Sequence, residues 1–469
     1  MTGWFYFLAA ALPTFAGPAE DLVAATHDLE TRVAAELRPH TRYVSFSNVP
    51  ASERAEAAAA LSFVLNSVSR ADVIVRPTVV PASDERLWRI SLADYALPAD
   101  VWEFLASHDP YWHLRTQVVP PATTTTRNTK TKPTVQTVVT DGGWLDLSVA
   151  ARLRELSHSS GALLRGDYFL TKATTTADAG VYYELAGIGA DEATFFREVG
   201  VDVCAIDRLR ADEGANMIRS LVTFKPRRVV RRQGPLGGAW HTYDTAAATP
   251  ERDPLRNPTA FVYDAGEHIA AKRNGLHLYA LFDAVGKRQA SVPDVIAKDT
   301  SDPHGSGIVV PMISCVRCHL EDGLRPVAND QRKLAQSGIE LYAASPSEAQ
   351  RLASFYLSDL EKKLTRDRED FAAAVSQATG GMKPSAVATA LARRVRRYQD
   401  ELVERADAAR ELGVDEATFT AALRTSHDPI LLGLAAEVGV VRKQWEASFA
   451  EAAVLVAAAR GAVAKAAGK

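Results

Sequence analysis

Cys315, Val316, Arg317, Cys318 and His319 spell C-x-x-C-H, a pentapeptide that takes up two of only three cysteines among 469 residues. Nothing else in the chain constrains it as tightly. Two thiols one helical turn apart can each add across a vinyl group of the same haem, and the histidine that follows then lies beneath the ring, where an imidazole nitrogen binds iron. The spacing therefore assigns Cys315 and Cys318 as thioether residues of one haem c and His319 as the proximal iron ligand. Two other chemistries use C-x-x-C. It can be half of a zinc site, with Cys204 and a distant histidine completing the ligands, although structural zinc normally announces a second close pair and none is present. It can also be a thioredoxin-like dithiol at a strand-to-helix turn. Here the pair follows Gly307, Ile308, Val309, Val310 and Pro311 and precedes a loop at Glu321, Asp322 and Gly323.

Haem attachment and cysteine oxidation belong to an exported compartment, and the N-terminus agrees. Trp4 to Phe15 is a short apolar run followed by small residues, so residues 1–19 read as a signal peptide cut after Ala16 or Ala19. The positive charge usual ahead of such a run is reduced to the α-amine, because no lysine or arginine precedes Arg32. The expected location is periplasmic or otherwise exported. Cys204, left over, reads as a small buried apolar residue.

A chain of 469 residues holds two or three domains, and 47% hydrophobic with 24% charged residues is ordinary for a globular protein. The formal net charge of -3 argues against nucleic acid as a partner. No later segment is long and apolar enough for a mature transmembrane span. The Ala-rich tail Phe449 to Ala467 carries Glu451, Arg460 and Lys465 and reads as a packed helix.

The periodicities predict an α+β fold in which mixed N-terminal and central regions precede a mainly α-helical haem region. In residues 20–117, helices are expected over Glu20 to Leu37, over Ser52 to Ser69 with Ser52 as the cap, and over Pro98 to Ser107; strands are expected over Arg42 to Val49, Asp72 to Val80 and Leu87 to Leu92. Residues 118–143 are rich in threonine and read as an exposed loop or linker. In the central region, 144–300, Trp144 to Leu156 and Asp191 to Val199 read as helices. Leu163 to Leu170, Arg228 to Arg232, Ala239 to Tyr243, Glu267 to Ala271 and Leu276 to Phe282 read as strands, the last two joined by the turn dipeptide Asn274-Gly275. The region 301–469 is expected to be cytochrome c-like, with long helices over Ser345 to Thr379, Pro384 to Leu412, Asp415 to Leu423 and Pro429 to Ala467.

From Arg42 to roughly Leu412 the chain resembles a group of large exported cytochrome c family proteins found in planctomycetes and related bacteria. The likeness rests on an ordered series: Arg42-Tyr43, Leu65-Asn66-Ser67-Val68-Ser69, Asp109-Pro110-Tyr111, Arg165-Gly166-Asp167-Tyr168-Phe169, Gly238-Ala239-Trp240-His241-Thr242-Tyr243-Asp244, Gly266-Glu267 ahead of Asn274-Gly275-Leu276, and Ser314 before the haem peptide. The resemblance implies haem binding at Cys315, Cys318 and His319 and electron transfer, without naming a substrate. Where that family often has an arginine-histidine pair this chain has Arg232-Gln233, and its usual Leu-Pro before Asn-Gly is Lys272-Arg273. No distal ligand is carried over from it.

The sixth iron ligand decides the chemistry, since a thioether raises the potential and an open position admits small ligands. Met1 is lost with the signal peptide, Met312 is tethered too close to Cys315, and Met217 lies in the α+β region. Met382, 63 residues after His319 in the loop Gly380-Gly381-Met382-Lys383-Pro384, is the candidate distal ligand, with His268, His277 and His304 as alternatives. Arg393, Arg394, Arg396 and Arg397 either meet haem propionates or an acidic redox partner, or form a solvated face balanced by Asp400, Glu401 and Glu404; the second is the commoner use of such a run. Arg165 and Asp167 read as an internal ion pair. The expected function is an exported c-type cytochrome with one haem c, an electron carrier or redox subunit serving a redox partner protein. The alternatives are a haem-dependent oxidoreductase or peroxidase with an open iron site and a zinc-binding module without redox chemistry.

Overall fold

The computed structural model describes residues 17–111, 147–201, 213–302, 306–337 and 345–467, apart from Asp178, Ala260 and Asp322. The predicted signal peptide up to residue 16, the Thr-rich segment, Cys204 and His304 lie outside the described residues.

The first part is built on a four-stranded mixed sheet. Helix α1 (Pro18–Arg32) leads into β1 (Thr41–Ser45), then helix α2 (Arg54–Val68), β2 (Thr78–Val79), β3 (Leu87–Ser91), helix α3 (Ala99–His108), helix α4 (Leu147–Ser157) and β4 (Leu163–Arg165). The strand order is β2-β3-β1-β4, with β1 antiparallel to β3 and parallel to β4, and all five residues of β1 are buried. Helix α2 is the centrepiece. Its run from Ala57 to Val68 has no polar stripe, and a helix apolar on every side has to be enclosed. Every one of those residues is buried.

Helices α5 (Gly166–Ala173), α6 (Tyr182–Ala186) and α7 (Glu192–Glu198) then lead to a five-stranded antiparallel meander of β5 (Glu213–Met217), β6 (Arg227–Gly234), β7 (Gly237–Asp244), β8 (Ala265–Ala271) and β9 (His277–Asp283). The tip of the β8–β9 hairpin docks on the C-terminal end of α2. Lys272 Nζ donates to the carbonyls of Asn66, Ser67 and Ser69 at 2.9, 2.7 and 2.5 Å, and Asn274 Nδ2 donates to Asn66 O at 2.9 Å. An ammonium set among the last carbonyls of a helix meets both their lone pairs and the negative end of the dipole. The short helix α8 (Ile313–His319) follows, and then α9 (Asp330–Gln336), α10 (Pro346–Leu357), α11 (Leu360–Thr379), α12 (Pro384–Gln399), α13 (Arg405–Glu411), α14 (Glu416–Leu423), α15 (Pro429–Ala435) and α16 (Arg442–Ala467). α11 and α12 pack on α2, and one apolar cluster runs through the molecule from Leu22 to Ala457.

The mixed α+β class matches expectation, and so do the Asn274-Gly275 hairpin, with Gly275 at φ 82°, and the helices expected from Asp191 and Asp415, which those two residues prove to cap. Several spans differ. The strand expected over Leu163 to Leu170 stops at Arg165 and becomes α5, because Gly166 passes so close to Phe46 that a Cβ there would meet Cε1 of the ring at 2.0 Å. An unbroken apolar run does not by its period distinguish strand from helix. Ser52 is not the cap of α2: a short 3-10 turn, Ala51–Glu53, intervenes and puts Glu53 at the cap position. Of the strand expected over Asp72 to Val80 only Thr78–Val79 pairs. The three longest expected helices are each broken. Asp359 ends one and caps the next through the Lys362 N–H at 3.3 Å. A two-way backbone pairing between Val403 and Val440, at 2.7 and 3.1 Å, holds open the gaps before α13 and α16.

Candidate functional site

A strained turn launches helix α8. Met312 has φ 67° and ψ -68°, and the Ile313 N–H reaches back to Pro311 O at 3.0 Å. This is a γ-turn, which costs a non-glycine residue on the order of 1–3 kcal/mol. Its surroundings hold it. Met312 is fully buried, the Ile313 N–H also meets Thr174 O at 3.2 Å, and Ser314 exchanges two bonds with Val310, receiving its N–H at Oγ at 3.0 Å and returning its own N–H at 3.1 Å. The chain thus turns abruptly from the extended residues 306–310 into a helix, and Cys315, Cys318 and His319, spaced i, i+3 and i+4, fall on one face. All three stay half-buried, with both sulfurs free thiols.

One ring nitrogen of His319 is fixed by the backbone. Nδ1 lies 2.9 Å from Gly323 O, and a carbonyl can only accept, so Nδ1 holds the proton and Nε2 presents its lone pair. Gly323 makes the short return loop possible with φ 64°, a conformation suited to glycine. Burial lowers the pKa of His319, against the pull of the Gly323 bond and of Glu267, and so favours the neutral imidazole that binds metal. Burial likewise raises both thiols, Cys315 strongly, and Cys318 Sγ lies 3.8 Å from Ser301 Oγ.

The five-stranded sheet supplies the floor. Opposed residues of an antiparallel sheet share a face, and the register sets Val229, Thr242, Glu267 and Leu281 in one row and Arg227, Asp244, Ala265 and Asp283 in the next. Glu267 acts electrostatically on Cys315, Cys318 and His319 alike. Arg227, itself buried, holds Asp244 at 2.6 Å and Glu267 at 3.4 Å. Three tyrosines, Tyr182, Tyr183 and Tyr279, lie within electrostatic reach of Cys315. Tyr182 Oη accepts the Tyr279 N–H at 2.9 Å, and Tyr183 Oη accepts the Leu281 N–H at 3.1 Å while donating to Gln289 O at 2.8 Å. These bonds seal the free edge of β9, which would otherwise offer unpaired backbone groups. Arg317, between the cysteines, points elsewhere and ties the helix to Asp299 at 3.0 Å.

The other candidates have other duties, and of them His277 lies within electrostatic reach of His319. Met382 borders a cavity with Ser62, Arg76, Trp88 and Thr379 beyond the C-terminal end of α11. Roughly 12 Å of helix rise separates that end from Phe371, which flanks Gly323. His277 is buried, with its ring stacked on Phe371 at 4.0 Å and 9° and its Nδ1 without a hydrogen-bond partner. His268 is buried on the opposite face of the sheet, its Nε2 2.6 Å from Glu192 and its ring 4.5 Å from that of His241. Met217 packs with Leu324, Leu360 and Leu364. The arginine run pairs with Glu401 as expected but also with α2 and the turn before it. Arg393 meets Glu56 at 2.7 Å, and the buried Arg394 meets Glu53. Arg165 and Asp167 do form an internal pair, joined by Glu411.

Sequence reasoning passed over Met312, Gly323, Arg227 and the role of Glu267. A single acid within a strand pattern was the signal available for Glu267, whereas Arg227 is hidden in the run Arg227-Arg228-Val229-Val230-Arg231-Arg232. Among the described residues no group of three or more His, Cys, Asp or Glu side chains is arranged to hold a metal ion. Nor is any described helix long and apolar enough to cross a membrane. No family model, curated protein or solved structure matches this chain.

Proposed function

We propose that this protein is an exported c-type cytochrome, an electron carrier or redox subunit that exchanges electrons with a partner protein. One haem c would be held by Cys315 and Cys318 as thioethers and by His319 on the iron. The observation that carries the reading is the His319 Nδ1 bond to Gly323 O, which leaves Nε2 free on the same helix face as two reduced, partly accessible sulfurs. An imidazole fixed through its second nitrogen is the arrangement metal-binding histidines use. When bound, the haem supplies a reversible one-electron couple. The protein's part is to hold the imidazole neutral and oriented, to keep both thiols available for vinyl addition, and to set the Glu267 and Arg227 charges near the group. The likeness of the haem peptide and its flanking motifs to large exported cytochromes supports the same reading.

Co-expression with cytochrome c maturation factors tests it. The intact mass should rise by one haem, and red colour should survive acid-acetone extraction and denaturing electrophoresis. Cys315→Ala and Cys318→Ala should each leave at most one thioether. A bare polypeptide mass from a competent host, with stoichiometric zinc that chelators remove, would overturn the proposal.

A second reading, a haem-dependent oxidoreductase with an open iron site, has one observation in its favour. A cavity of about 570 Å³ is lined by Tyr183, which neighbours Cys315, and by Val101, Phe104, Thr176 and Arg288. Carbon monoxide binding to the reduced protein separates the two. An unshifted spectrum favours the carrier, and a shifted band favours the enzyme.

A further inference from the structure

The connection between β5 and β6 displays apolar side chains to solvent beside the haem peptide. Ile218 is 54% exposed, Leu221 73% and Phe224 92%. The segment is held firmly in this display. The Ser220 N–H donates to Thr223 O at 2.8 Å, Arg227 Nη1 donates to Ser220 Oγ at 3.1 Å, and Thr223 is buried. On its inner side Val222 packs against the cluster of Ala265, Leu281, Val292, Ala297 and Val309. A second loop continues the patch. The Lys298 N–H meets Val222 O at 2.8 Å, Lys225 Nζ meets Val295 O, and Val295 and Ile308 are 55% and 43% exposed. The same loop touches the haem peptide, through Asp299 on Arg317 and Ser301 on Cys318.

The charges around the patch are one-sided. In residues 218–225 and 293–300 the cations are Arg219, Lys225 and Lys298, and the acids are Asp294 and Asp299. Asp299 is buried on Arg317, and Asp330, which accepts the Ile218 N–H at 2.9 Å, is paired with Lys333 at 2.9 Å, which leaves Asp294 as the exposed acid of these two segments. A basic rim on a chain of formal net charge -3 is a local field opposite to that of the whole molecule. Apolar centre and charged rim together are the anatomy of a protein docking face, and exposed aromatic side chains are its usual anchors.

We propose that Ile218, Leu221, Phe224, Val295 and Ile308, rimmed by Arg219, Lys225 and Lys298, form the electron-transfer docking face, and that its occupant is an acidic redox protein presenting an apolar spot within an anionic rim. The proposal rests on the haem reading, because what singles out this face is its continuity with Cys318. Complementary charge speeds the encounter and is screened by salt, whereas the apolar centre sets the lifetime of the complex.

The test uses the matured holoprotein, with haem attachment confirmed by intact mass before kinetics. Failure to attach haem counts against the haem reading itself, whereas attached haem with indifferent kinetics counts against the docking face alone. Stopped-flow electron exchange is followed with a strongly acidic single-copper protein as probe. The wild-type rate should fall about tenfold between low and high salt. Phe224→Ser with Leu221→Ser should slow exchange about tenfold at any salt, and Lys298→Glu should slow it at low salt only. Reduction by ascorbate should be the same in all variants, and the exposed distant change Val438→Ser should leave exchange untouched. Equal rates in wild type and patch variants, or a rate that rises with salt, would overturn the proposal. So would a patch that proves instead to mediate adsorption to anionic vesicles or self-association in sedimentation, with exchange unaffected by its loss.

Discussion

Replacing Arg165 by methionine removes one charge from a deeply buried ionic network. Arg165 is 1% exposed and donates to Asp167 at 2.9 and 2.5 Å and to Glu411 at 2.7 Å, while its guanidinium carbon stands 3.7 Å from the centre of the Tyr111 ring. Methionine keeps much of the apolar stem. Glu411 keeps Arg442 at 2.7 Å and the Trp445 Nε1–H at 2.7 Å, but Asp167 keeps only neutral donors, Asn48 Nδ2 and the Tyr168 N–H, both at 2.9 Å. One buried carboxylate loses its hydrogen-bonded cation and keeps only the through-space attraction of Arg442. Breaking a buried pair from one side costs about 3–5 kcal/mol, and a desolvated stacking cation contributes about 2 kcal/mol more, so with partial relief from the methionine side chain the expected loss is about 4 kcal/mol at neutral pH. The pH dependence separates this cause from simple misfit. Although burial alone would raise them, Arg165 holds both Asp167 and Glu411 below their ordinary values of 3.8 and 4.5. The stability they contribute is present above those values and fades as pH falls through the lower folded ones. Loss of Arg165 should therefore cost less near pH 4 than at neutral pH. Urea unfolding at both pH values, followed by circular dichroism and tryptophan fluorescence, measures it. A neutral-pH loss below about 1 kcal/mol, or a loss that grows on acidification, would refute the electrostatic account.

Three further outcomes are expected. Burial pushes the Asp109 carboxyl up to about 7, so its contribution is complete below 3.8 and lost as pH rises towards 7; Asp109→Asn, which preserves the acceptor for the Tyr111 N–H, should erase about 4 kcal/mol of that decline in unfolding free energy. Met382→Ala should leave the haem absorption spectrum unchanged, given the place of Met382 beyond α11; loss of a near-infrared sulfur-to-iron band in the variant would restore it as the distal ligand. His319→Gly should retain covalent haem, lose low-spin ligation and recover it with added imidazole, as read from the visible spectrum; an unchanged low-spin spectrum without imidazole would show that His319 is not the ligand.

The C-x-x-C-H pentapeptide, the Asn274-Gly275 hairpin and the helices that begin at Asp191, at Asp415 and near Ser52 were legible in the chain as written, because each is encoded by residues within one or two turns of one another. The helical and strand periodicities likewise led to a mixed α+β fold. Other features depended on which distant segments meet. Leu163 to Leu170 divides into strand and helix because Gly166 meets Phe46, and Lys272, conspicuous as an oddity before Asn-Gly, becomes intelligible once the C-terminal carbonyls of α2 stand around its ammonium. The arginine run looked like a solvated helix face and finds Glu53 and Glu56 across the molecule. The site divides the same way. Cys315, Cys318 and His319, the proposed haem-binding residues, sit in five consecutive positions, and helical spacing alone brings two sulfurs and an imidazole to one face. The carbonyl of Gly323 that fixes His319 and the γ-turn at Met312 are local in sequence but are held by Thr174 and the surrounding burial, and the Arg227 pairings with Asp244 and Glu267 beneath them arise from strand register, a sum of contacts between segments far apart in the chain that leaves no periodic trace in it.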